Sequence, residues 1–110
     1  MRVYLDSTHY AEMFFASGSL TAHINSGAGD VNLNPAWPTY NATSMQWVRI
    51  REASGTLYFE YAAGSTSPGT WTVLASTANP FAMSAVSFRI SAGANTTVSD
   101  TARFDNISTV

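Results

Sequence analysis

Hydrophobic and polar positions alternate with a period of two along most of this chain, in short runs that recur about every ten residues. That rhythm predicts antiparallel strands with short connections, packed as a sandwich or barrel. The clearest case is residues 47–61, two alternating runs joined by a Ser-Gly turn. Pairing Glu52 with Gly55 places Val48, Ile50, Leu57, Phe59 and Tyr61 on one face of a hairpin. Trp47, Arg49, Arg51, Tyr58 and Glu60 then fall on the other. The first face is core, and the second is available as a binding surface.

The same alternation marks the remaining strands. Tyr10, Glu12 and Phe14 alternate with Ala11, Met13 and Phe15, apolar on nearly both faces, which places that strand centrally. Leu20, Ala22 and Ile24 alternate with Thr21, His23 and Asn25 after Ser17-Gly18-Ser19, so these two runs are expected to form a second hairpin. A shorter run from Asp30 to Asn34 ends at Pro35. Residues 35–44 form the principal loop, because Pro35 and Pro38 lack backbone donors and exclude a central strand. Further strands are expected over 70–76, over 86–91 and around Ala102 and Phe104, with Phe81 and Met83 plugging one end of the sandwich. No helical periodicity competes with this pattern.

Composition narrows the picture. A chain of 110 residues with 45% hydrophobic content suits one domain over residues 1–110 with a single core. It has no cysteine, hence no disulfide, thiolate metal site or cysteine nucleophile. Charged residues are only 11% of the chain, against roughly 25% in ordinary soluble domains, and all five basic residues are arginine. So weakly charged an exterior is poorly protected against edge-to-edge association and suits an assembly or a secreted chain. A net charge of −2 argues against nucleic acid as a partner. No apolar run reaches the ~18 residues of a membrane helix, and Asp6 interrupts any signal-peptide core, so no membrane partner is expected. The sequons at Asn41, Asn95 and Asn106 are what chance gives in a chain rich in Asn and Thr.

Four stretches carry a family resemblance: Trp47-Val48-Arg49-Ile50-Arg51-Glu52, the run from Gly55 to Tyr61, the run from Gly69 to Leu74, and Ala102-Arg103-Phe104-Asp105-Asn106. Together they resemble the concanavalin A-like lectin/glucanase jelly rolls, in particular non-catalytic modules of bacterial extracellular proteins and of tail or other virion proteins of actinobacterial phages. The resemblance implies an all-β, antiparallel, jelly-roll-like β-sandwich and a virion or extracellular location. Two departures stand out. The acidic Ser-x-Asp-Gly turn of such modules is replaced by residues 63–69, which contain no acid. Measured against such a jelly roll, the chain is also expected to begin partway through the fold, short of some N-terminal strands. An open edge of that kind is a template for strand addition, so copies of the chain or other virion chains are expected partners.

The candidate ligand-binding residues are Trp47, Arg49, Arg51, Tyr58 and Glu60 on the hairpin, with Arg89 extending the platform, and Trp37 and Tyr40 in the proline-rich loop. Aromatic rings stack on sugar faces while guanidinium and carboxylate groups take hydroxyls, so the pattern points to a cell-surface glycan. Against this stands a plain structural role: Arg49 and Glu60 as diagonal cross-strand partners, Trp47 lying over their stems, and Trp37 anchoring its loop in the core. Asp30-Val31-Asn32-Leu33-Asn34 superficially matches the start of a calcium loop but lacks the later Gly and Glu, and its Val and Leu indicate a strand. His9 and His23 have no partner at metal-ligand spacing except Glu12, which alternation turns to the face opposite His9. No closely spaced carboxylate string of the kind used by glycosidases of this class occurs, so neither an enzyme nor a cofactor is expected. The functional expectation is a non-catalytic carbohydrate-binding or adhesion module. The alternative is a purely structural virion component acting through protein contacts.

Overall fold

The computed structural model describes residues 1–36 and 38–91. Its strands are β1 (Arg2–Tyr4), β2 (His9–Ala16), β3 (Ser19–Ser26), β4 (Asp30–Asn32), β5 (Trp47–Ala53), β6 (Thr56–Ala62), β7 (Thr72–Ala78) and β8 (Ser87–Arg89), with one 3₁₀ turn at Met83–Ala85. They form a five-stranded sheet in the order β4-β3-β2-β1-β8 and a three-stranded sheet in the order β5-β6-β7, antiparallel throughout. β1–β4 and β5–β7 are each meanders, β8 joins the larger sheet beside β1, and among the described strands only the β4–β5 and β7–β8 connections pass between sheets. These strands do not show the repeated alternation between sheets that defines jelly-roll winding.

Alternation does what the sequence requires of it. Ala11, Met13, Leu20 and Ala22 from the larger sheet meet Leu57, Phe59 and Ala75 from the smaller one in a single cluster, joined by Met45 from the loop before β5. Phe59, Met13, Leu20 and Leu57 are the largest fully buried side chains. Each contributes about 1.5–3 kcal/mol by burial, the main term holding the sheets together. Phe81 and Met83 pack against this cluster, as the sequence pattern anticipates.

Both hairpins turn on the same chemistry. Ser17-Gly18 and Ser54-Gly55 have positive φ at both residues, 50° and 75° in one and 51° and 80° in the other. Two consecutive left-handed residues match the right-handed twist of the flanking strands, and glycine accepts that conformation without strain. The second turn corrects the expected register. Ala53 pairs with Thr56, and Glu52 faces Leu57 rather than Gly55. A slip of two residues leaves every side chain on its predicted face but changes its opposite number.

Two features lie outside the alternation pattern. The first is β1, too short to announce itself, which lies between β2 and β8, so four strands rather than three precede the 47–61 hairpin. The second is the fate of the proline-rich loop, which runs along the free side of β3. Leu33 donates its N–H to the Ala22 carbonyl, and the buried Asn34 amide accepts from Ala22 N–H and donates to the Leu20 carbonyl. Pro38 O and Tyr40 N–H then bond Leu20 and Gly18. Prolines are tolerated here because the backbone donors come from Leu33 and Tyr40, while Pro38 contributes only its carbonyl. The strand expected around Ala102 and Phe104 lies outside the described residues.

Candidate functional site

The outer face of the three-stranded sheet gathers the hairpin residues. Glu60, on the central strand, is only 3% exposed. A carboxylate buried so far needs compensation, and Arg49 and Arg51 supply it. Arg49 lies directly opposite Glu60 and donates Nε–H to Oε2 at 2.6 Å. Arg51, opposite Tyr58, reaches diagonally with Nε to Oε2 at 3.0 Å and a terminal nitrogen to Oε1 at 3.1 Å. The expected diagonal relation of Arg49 to Glu60 is therefore corrected to a direct one, and Arg51 takes the diagonal. Burial pushes the Glu60 carboxyl upward, but the hydrogen bonds and charges of Arg51 and Arg49 outweigh it and hold the group below its ordinary value. The hydrogen bond to Glu60 correspondingly raises Arg51.

Each guanidinium is also capped by a ring. Arg49 Cζ sits 3.9 Å from the centroid of Trp71, and Arg51 Cζ sits 4.4 Å from that of Tyr58. The result is a row running ring, cation, anion, cation, ring: Trp71, Arg49, Glu60, Arg51, Tyr58. Trp47 completes the neighbourhood by donating Nε1–H to the Gly64 carbonyl at 2.6 Å. Gly64 has φ of 140°, and a Cβ there would run into the Ser67 carbonyl, so the position that receives Trp47 admits only glycine without rearrangement. Despite these bonds the Arg49 and Arg51 side chains remain 36% and 37% exposed.

Trp71 escaped the sequence reading for a definite reason. Strict alternation groups it with Val73 and Ala75, the last of which is core. A β-bulge in β7 breaks that parity: Phe59 pairs with Ala75 but Glu60 pairs with Val73, leaving Leu74 as the extra residue. Leu74 packs with Ala75 on the core, while Val73 and Trp71 turn outward beside Glu60 and Arg49.

The remaining candidates do not join this row. Arg89 belongs to β8 of the other sheet, opposite Arg2, so the expectation that it extends the platform is corrected: the chain crosses between sheets before reaching it. Tyr40 packs edge-on against Phe15 at the tip of the β2–β3 hairpin, ring centroids 4.7 Å apart. Trp37 lies outside the described residues.

A second polar cluster, unread in the sequence, covers the outer face of the five-stranded sheet. Arg89, Arg2, Glu12, His23 and Asn32 form one cross-strand row. Arg2 donates Nε–H to Glu12 Oε2 at 2.8 Å, with a terminal nitrogen 2.7 Å from the same oxygen, and its guanidinium lies 4.0 Å from the Tyr10 ring centroid. Tyr10 donates its hydroxyl to Asp30 Oδ1 at 2.7 Å, and His23 Nδ1 meets Asp30 Oδ2 at 2.6 Å. Phe14 stands edge-on to His23 at 5.1 Å. Buried His23 Nε2 and Thr21 Oγ1 find no hydrogen-bond partner among the described residues. Asp30 and Asn32 are strand residues rather than a calcium loop, and His9 faces Phe81, away from Glu12. Among the described residues no three His, Asp or Glu side chains converge as a metal site would need.

Comparison with family models, curated proteins and solved structures gives no match.

Proposed function

We propose that this domain is a non-catalytic β-sandwich binding module that presents the outer face of its three-stranded sheet to a cell-surface glycan, in a phage virion or a bacterial extracellular protein. The observation that carries the proposal is the row Trp71, Arg49, Glu60, Arg51, Tyr58. Glu60 fixes both guanidinium groups before any ligand arrives, so little side-chain freedom remains to be lost on binding. Their N–H groups that find no partner among the described residues stand beside aromatic surface suited to the apolar faces of sugar rings. One such face binds weakly, and several copies in one assembly raise the retention through effective concentration. The resemblance to lectin-like modules and the sparse surface charge agree with that setting. Retention of the chain on a glycan array tests the reading: Trp71→Ala and Trp47→Ala are each expected to abolish it with the far-ultraviolet spectrum unchanged, and no retained glycan refutes it.

A structural role through protein contacts has its own supporting observation. Val31 on β4 and Phe88 on β8, the outermost described strands of the larger sheet, are 51% and 40% exposed. On that reading the isolated chain self-associates through them, and a well-folded monomer by light scattering counts against it.

A further inference from the structure

We propose that the three-stranded sheet selects saccharides bearing a carboxylate, such as uronic acids, over neutral ones, with Arg49 as the residue that takes the carboxylate. The inference rests on the glycan reading above and names its ligand class. Charge is the first argument. The described outer face of this sheet carries two guanidinium groups against the single carboxylate of Glu60, a local excess of one positive charge in a chain whose net charge is −2. Burial at 3% exposure keeps Glu60 between its partners, so it cannot swing out to repel an incoming anion.

Donor geometry is the second argument, and it separates the two arginines. Arg51 commits both Nε and a terminal nitrogen to Glu60, whereas Arg49 commits only Nε among the described residues. The two terminal nitrogens of Arg49 thus remain as a planar pair of donors. Stacking on Trp71 occupies a face of the guanidinium rather than its edge. Such an edge matches the two oxygens of a carboxylate, and charge-assisted pairs of this type are roughly twice as strong as neutral hydrogen bonds. A neutral hydroxyl engages the same edge through one oxygen only. The flanking rings explain why the anion should be carried on a sugar: Trp71 and Tyr58 offer apolar area that a free acid or a flexible acidic peptide uses poorly.

The test compares an oligogalacturonate with its carboxyl-reduced derivative, which keeps the sugar backbone and removes the charge, by calorimetry on the full chain. The acidic form is expected to bind about tenfold tighter, the scale of one charge-assisted pair, and to weaken with added salt. Arg49→Gln is expected to erase that difference. Arg49→Lys, which keeps a charge beside Glu60 and so protects the fold, is expected to lose most of it, because an ammonium lacks the planar fork. Equal binding of the two saccharides by the native chain, or a preference that survives both substitutions, overturns the inference while leaving the glycan reading standing. Tighter binding of a sulfated saccharide, or of polyglutamate, also overturns it. Failure to hold any saccharide refutes both.

Discussion

On the three-stranded sheet a buried carboxylate holds two guanidinium groups; on the five-stranded sheet Glu12 holds one, and Asp30 is shared between a phenol and an imidazole. Both outer faces combine Arg, Tyr and acid, yet they differ in where the charge is anchored. Glu60 sits on the middle strand of its sheet, dry and fixed, so its partners are displayed around it. Glu12 and Asp30 are more exposed, and their partners are spent on one another: Arg2 is paired with Glu12 Oε2 and stacked on Tyr10, whose hydroxyl is given to Asp30. The lesson is that a buried counter-charge turns a salt bridge into a presentation device, whereas a surface network mainly ties strands together.

Removing the cations should break this comparison most visibly. The double change Arg49→Met, Arg51→Met strands Glu60 without compensation and is expected to give the largest drop in the urea unfolding midpoint. Arg2→Met, whose partner Glu12 can turn toward water, should cost under about 1 kcal/mol. Equal losses would mean that the faces are equivalent after all.

Acid provides the next separation. Because the folded value of Glu60 lies below its ordinary 4.5, its contribution is present above that pH and is lost as pH falls through the folded value. The corresponding window for Asp30, which Tyr10 and His23 hold below 3.8 against its own desolvation, opens lower. A Glu60→Gln chain should therefore show a flatter stability profile just below pH 4.5, and an unchanged slope there would contradict the assignment. At the alkaline end the larger sheet should respond through Tyr10. The hydrogen bond to Asp30 raises Tyr10 above 10.0, so its contribution is intact below that pH and fades as pH rises through the folded value. Tyr10→Phe should remove this dependence, at a cost near neutrality of about 1 kcal/mol for the lost bond.

The smallest effect concerns what the sheets share. Ser17→Asn and Ser54→Asn place a residue better suited to positive φ in each turn and should each stabilise the chain by about 0.5 kcal/mol. Matching gains would show that the two hairpins close by one mechanism; a loss at either would mean that its serine has a further role.

Much of this architecture was legible in the residues. Period-two alternation decided that the chain is all-β, put Phe59 and Leu20 inward and Arg49 and Glu60 outward, and the Ser-Gly pairs located both tight turns, because side-chain direction in a strand is a local property of the backbone. What alternation could not decide was relations between strands. The two-residue slip that sets Arg49 opposite Glu60 preserves every face, so the pattern is blind to it. The bulge that turns Trp71 outward inserts one residue and reverses parity with no mark in the composition. Arg89 looks like a neighbour of the hairpin in sequence, yet the crossover delivers it to the other sheet. The sequence by itself determined that the chain is all-β and which sides of its two hairpins face inward; only the tertiary structure decided the place of β1, the face of Trp71 and which strands meet, because pairing, bulges and crossovers depend on contacts between residues far apart in the chain.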